Sequence, residues 1–165
     1  MKRLLTELIE LLETQKELYS NLLDLSISKK DAIVKTNVNE LDNIVKAEQI
    51  LLLRLGEVES KRQRLIEQIA KEYKVNKEEV NLEFVLNQLN SSQKNKVMDI
   101  RGHFINILDD ITKYNNVNKK LLEKQLSFVS MTLNAITGSG NTIDYNQEGE
   151  LNKIPPKISI IDEKV

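Results

Sequence analysis

The chain of 165 residues has no cysteine and only five glycines and two prolines, and three of the glycines and both prolines lie in the last 28 residues. Without thiols it can form neither disulfide bonds nor thiolate metal sites. Residues 1–137 contain only Gly56 and Gly102, while Pro155 and Pro156 come later. Because turns between strands depend on glycine and proline, this scarcity argues against a turn-rich β fold and favours helices.

Long hydrophobic runs are also missing. No apolar run approaches the roughly 18 residues that a membrane-spanning helix requires. The N-terminal segment MKRLLTELIELLE has acidic residues inside its apolar stretch, which is untypical of a signal peptide. We therefore expect a cytoplasmic protein that does not insert into a membrane.

No single sign of charge dominates. The 24 basic and 25 acidic residues give a net charge of −1 and are mixed along the chain. The densest basic cluster, at residues 61–64, is short and flanked by glutamates. A solvated helix face explains this cluster better than a nucleic-acid contact, which would need a concentrated basic surface. We expect no nucleic acid among the partners.

Apolar residues at alternating spacings of four and three predict a long first helix over about residues 2–35. Gln15 and Lys29 occupy the same register as the leucines of this row. A second apolar row widens the stripe, so the helix should contact two neighbouring helices. The first row is Leu4, Leu8, Leu11, Leu18, Leu22 and Leu25, and the second is Leu5, Leu12, Tyr19 and Ile33.

A second long helix should begin after Asn37, which can act as its N-cap with Glu40 three residues later. Its apolar row keeps the same spacing to about residue 73, with Glu48 and Arg62 in the register. This row consists of Leu41, Ile44, Leu51, Leu55, Val58, Leu65 and Ile69.

Residues 74–92 predict a short connecting helix with a cap at Asn76, which should cover the open end of the first two helices. A third long helix is expected over residues 93–136, stopped by Gly138. The sequence thus predicts an all-α fold with three long helices in an elongated, antiparallel, coiled-coil-like bundle. Residues 1–137 would form this bundle, and residues 138–165 a flexible tail that lacks any periodicity.

Catalytic chemistry finds little support. His103 is the only histidine, and without cysteine a transition-metal site would depend on carboxylates alone. No phosphate-binding glycine loop, nucleophile elbow or dinucleotide fingerprint occurs. We expect neither an enzyme nor a cofactor.

The back half of the third helix carries apolar residues around much of its circumference. Antiparallel neighbours can bury one broad face, which leaves three interpretations open: an internal core, a homodimer contact, or the binding of a helical client. Tyr145, in the polar tail, is a candidate docking anchor.

Several segments, taken in order, resemble the FlgN-type flagellar export chaperones, also called FlgN-like proteins, over nearly the whole chain. The glycine usual before the second helix of that family is absent, and Asn37 stands in that region. The segments are Lys29-Lys30-Asp31-Ala32-Ile33, Asn37-Val38-Asn39-Glu40-Leu41, Ile44-Val45-Lys46-Ala47-Glu48-Gln49, residues 118–129 and residues 142–149.

The resemblance implies a cytoplasmic chaperone that binds hook-associated proteins, those of the hook–filament junction, before flagellar type III export. It implies that the last helix receives the C-terminal helix of the client, and that Tyr145 contacts the export gate. A generic coiled-coil scaffold or tether remains the alternative. Carried onto this chain, the client-binding residues are Leu121, Leu122, Leu126, Phe128, Val129 and Leu133.

Overall fold

The computed structural model describes residues 2–137, which form four α-helices and one 3₁₀ turn, without a β-strand in that range. The predicted all-α class, with three long helices and one short connecting helix, is confirmed. The helices are α1 (Lys2–Val34), α2 (Val38–Tyr73), α3 (Leu82–Gln88) and α4 (Ser91–Thr137), and the turn spans Lys77–Glu79.

The connection between α1 and α2 combines a predicted cap with a strained residue. Asn37 Oδ1 accepts the backbone N–H of Glu40 at 3.2 Å, and its Nδ2 donates to the Glu40 carboxylate at 2.8 Å. Thr36 lies in the left-handed region at φ 53°, where an L-residue costs about 1–2 kcal/mol. A glycine in this loop would avoid the cost. Because the loop has none, Thr36 adopts the unfavourable conformation instead.

The polar residues that interrupt the two apolar stripes find polar partners between α1 and α2. Gln15 donates to Glu59 at 3.2 Å, and Arg62 holds the same carboxylate through bonds of 2.8 and 2.7 Å. Nearer the turn, Lys29 forms an ion pair with Glu48. The two helices are therefore antiparallel, and their register places polar groups opposite polar groups.

A buried apolar cluster joins the start of α1, the end of α2, the short α3 and the start of α4. The predicted role of the connecting helix as a cover for the open end is confirmed by this cluster. Each well-buried side chain contributes on the order of 1.5–3 kcal/mol. The members are Leu5, Leu8, Ile9, Leu65, Ile69, Ala70, Val80, Val85, Leu89, Val97 and Ile100.

The predicted cap of the connecting helix was misplaced. Asn76 precedes only the 3₁₀ turn and makes no cap bond to the backbone. Val80 is buried and its backbone leaves the helical region, which ends that turn. The α-helix begins later, where Asn81 Oδ1 accepts the backbone N–H of Phe84 at 2.9 Å. Asn90 caps α4 in the same way.

Up to Leu122, α4 runs parallel to α1. The rings of Tyr19 and Phe104 meet edge to face with centroids 5.7 Å apart. Further along, Asn118 Nδ2 donates to the Ser26 carbonyl at 2.8 Å. Asn118 is 3% exposed, and its Oδ1 is buried without a partner among the described residues.

The chain groups into two compact units that divide after Leu122. The first unit contains α1, α2, α3 and the first part of α4. The described part of the second is residues 123–137, also helical. The expected boundary after residue 137 stays a prediction, since the tail lies outside the described residues.

Candidate binding surface at the end of α4

The end of α4 lacks both the charged residues of an ordinary solvent-exposed helix face and the buried residues of a packed one. Charged residues make up 30% of the chain, yet none occurs from Gln125 to Thr137. No side chain of residues 123–137 is buried. Because a surface helix normally carries charged residues on its solvent face, an uncharged and exposed apolar stretch is typical of a binding surface.

One apolar row follows a single face of this segment. Its members are separated by three, four and three residues, which is the spacing of a narrow coiled-coil seam. All are exposed, and Ile136 reaches 76%. We call this set the leucine row: Leu126, Val129, Leu133 and Ile136.

A second apolar row lies on a different face. Phe128, Met131 and Ala135 are separated by three and four residues. At 3.6 residues per turn this phenylalanine row lies about 150° around the helix from the leucine row. Phe128 is 66% exposed, so a partner covering the leucine row alone would leave this ring in water.

The six predicted client-binding residues fall into two groups. Leu126, Phe128, Val129 and Leu133 are exposed, whereas Leu121 and Leu122 are half-buried and belong to the first compact unit. Client binding by these residues stays a prediction. Tyr145, the predicted gate contact, lies outside the described residues.

The predicted client-binding residues do not include two exposed apolar residues of this segment, Met131 and Ile136. Their spacing carried the signal. Ile136 follows Leu133 by three residues in the leucine row, and Met131 follows Phe128 by three in the phenylalanine row. Extending each row by its own period would have found both.

The earlier part of α4 behaves differently. Val97, Ile100, Ile107 and Ile111 are all buried and occupy the face that packs inside the first unit. That part of α4 therefore has a buried apolar face, although Met98, Ile105, Leu108 and Val117 are exposed there. Residues 123–137 have no buried face.

Among the charged groups of the α1–α2 hairpin, Glu59 has a clearly lowered pKa. Hydrogen bonds from Arg62, and then from Gln63, with the nearby Arg62 charge and a bond from Gln15, lower the pKa of Glu59 from 4.5 to about 2. His103 is exposed. Among residues 2–137 no group of three or more acidic or histidine side chains could hold a metal ion.

Comparison with known proteins assigns the family. The family model described as FlgN protein matches residues 1–153. The chain belongs to the FlgN family. No curated protein and no solved structure gives a significant match.

Members of the FlgN family are flagellar export chaperones that bind flagellar substrate proteins. The resemblance inferred from the order of short segments is thereby confirmed. None of the helices within residues 2–137 of this FlgN-family protein has the length and hydropathy to cross a membrane.

Proposed function

We propose that this FlgN-family protein binds hook-associated proteins in the cytoplasm, prevents their premature assembly, and aids their delivery to the export gate. The observation that carries the proposal is the exposed, uncharged end of α4. The client-binding residues would be Leu121, Leu122, Leu126, Phe128, Val129 and Leu133, and the gate contact would be Tyr145.

Helix-in-groove recognition fits this surface. An amphipathic client helix uses apolar anchors at helical spacing, and the leucine row offers the complementary spacing. Each exposed leucine or phenylalanine that becomes buried would contribute on the order of 1.5–3 kcal/mol, before the cost of ordering both partners. Several such side chains suffice for specific binding.

The same contact explains protection and release. Junction proteins that assemble through apolar helical faces cannot do so while those faces are covered by the chaperone. Because a purely apolar contact needs neither a nucleotide nor a cofactor, the client can leave by simple dissociation. Micromolar to nanomolar affinity, about −8 to −12 kcal/mol, would allow both tight holding and release.

The test is co-purification with a hook-associated protein, either intact or lacking its C-terminal helix. Removal of that helix should abolish binding. Phe128→Gln and Leu133→Gln in this chain should weaken binding of the intact client at least about tenfold, the loss expected for one buried apolar anchor. Leu122 is less informative, because it is half-buried in the first unit.

Ile105→Gln is the matched control, since Ile105 is an exposed apolar residue of α4 within the first unit. It should bind the client as well as the unaltered chain does. Binding that is indifferent to the client's C-terminal helix would instead support the alternative of a coiled-coil scaffold or tether.

A further inference from the structure

The outward side of α2 carries a second exposed surface, within the first compact unit. Six exposed residues follow one another at spacings of four, four, three, four and four, so they share an arc of about 100° on the helix. We call this set the outward face of α2: Asp42, Lys46, Ile50, Leu53, Glu57 and Lys61.

The centre of this face is apolar and uncovered. Ile50 and Leu53 are 54% and 71% exposed. The buried residues of α2, such as Ile44, Leu55 and Leu65, lie on the side that packs within the chain. Within residues 2–137, Ile50 lines a surface groove with Leu25 of α1 but stays largely exposed, and Leu53 is more exposed still. Charged residues lie on both sides of this apolar centre, at Asp42 and Lys46 and at Glu57 and Lys61.

When two copies of this face are placed antiparallel, each charged residue of one copy lies opposite a residue of the other sign in the second copy. In an antiparallel pair of α2 helices, Ile50 of one copy would lie opposite Leu53 of the other. Lys46 would then face Glu57 of the second copy, and Asp42 would face Lys61 of the second copy. We infer that the outward face of α2 is the contact of a two-fold homodimer, with a second copy of this chain as its partner.

Two-fold symmetry makes each of these contacts occur twice, which is how an isologous interface doubles a modest pairing. This alignment of the two helices is also favoured over alignments shifted by one helical turn. A shift of four residues in one direction brings Lys46 opposite Lys61, and a shift in the other brings Asp42 opposite Glu57. Both place like charges together, which favours the symmetric register.

The strength of this contact should be modest. Lys46 bonds Asp42 of its own helix at 2.5 Å, but both side chains are more than half exposed, so this pair is readily exchanged for contacts to a partner. One pair of crossing helices buries less than the roughly 1,000 Å² of a stable interface. The dimer should therefore form only as the protein concentration rises.

Sedimentation over a range of concentrations tests the proposal by charge exchange. Lys46→Glu and Glu57→Lys should each weaken dimerisation about tenfold, because each places two like-charge contacts in the symmetric interface. The double variant K46E/E57K restores opposite charges and should recover most of the affinity. Leu53→Ser should weaken the dimer without changing the helical circular dichroism.

Lys113→Glu is the matched control, since it reverses an exposed lysine on α4 and should leave the dimer unchanged. A chain that stays monomeric at all concentrations would overturn the proposal. So would a dimer that is insensitive to Lys46→Glu and Leu53→Ser, or a double variant that fails to recover.

Discussion

The hairpin of α1 and α2 and the end of α4 have the same leucine-rich periodicity, but the side chains in the periodic positions have different surroundings in the two regions. In the hairpin, the polar residues that interrupt the stripes find partners inside the chain, as Lys29 does with Glu48. At the end of α4 the stripe has no polar interruption, and its apolar side chains are exposed. A periodic stripe therefore does not by itself indicate a core.

The difference lies in what each region requires from outside. A hairpin whose charged and apolar positions are matched internally gains nothing from a partner at those positions. An apolar row with no cover in the described chain gains free energy from any helix that buries it. We therefore expect substitutions in the hairpin to lower the stability of the fold, and substitutions at the end of α4 to weaken binding of a partner.

The largest effect is expected for Ile69→Ala. Ile69 is fully buried in the cluster that closes the hairpin, and truncating such a side chain costs about 2–5 kcal/mol through lost burial and the cavity left behind. Chemical denaturation measures this loss. Leu133→Ala should change the free energy of unfolding by less than about 0.5 kcal/mol. Equal losses in the two variants would remove the distinction between the regions.

A smaller effect is expected for Lys29→Ala, which leaves the Glu48 carboxylate in a mostly buried place without its cation. The cost should be about 2–3 kcal/mol, somewhat below that of a fully buried pair. Replacing both residues by apolar ones, Lys29→Met with Glu48→Leu, should recover the stability at neutral pH. If the double variant were as unstable as the single one, the ion pair would contribute more to stability than the mutual neutralisation of its two charges.

The smallest effect concerns pH. Because the pKa of Glu59 is lowered from 4.5 to about 2 in the folded chain, its stabilisation is complete above about pH 5 and is lost as pH falls towards 2. Its side chain is 40% exposed, so solvent screening limits the contribution to less than about 1 kcal/mol. The stability difference between the native chain and Glu59→Gln should shrink over that pH range. A constant difference would contradict the assignment.

Much of the fold could be predicted because helix periodicity and capping are local. The ends of α1 and α2 were predicted to within a residue or two, and the cap of Asn37 on Glu40 is present as expected. The pairing of polar breaks was available as well. The residue numbers of Gln15 and Arg62 have the same sum as those of Lys29 and Glu48, the relation for facing positions in an antiparallel pair, and Gln15 and Arg62 share the Glu59 carboxylate.

Other features depend on tertiary context and were not predictable in this way. Asn76 and Asn81 are equally good caps by composition, and the burial of Val80 decides between them. At the candidate site, the sequence indicated an excess of apolar residues but not which were covered. Leu121 is half-buried and Phe128, one heptad later, is exposed, although both occupy the same helix register.

The buried bond from Asn118 to the Ser26 carbonyl has a consequence for how α4 can slide along α1. The small side chain of Ser26 lets the amide reach the backbone. An axial slip of one heptad would bring Asn118 level with Tyr19 or Ile33, whose bulky side chains cover the backbone. The amide would then be buried without a partner, at a cost of about 1–3 kcal/mol. This hydrogen bond therefore disfavours a slip of α4 by one heptad along α1.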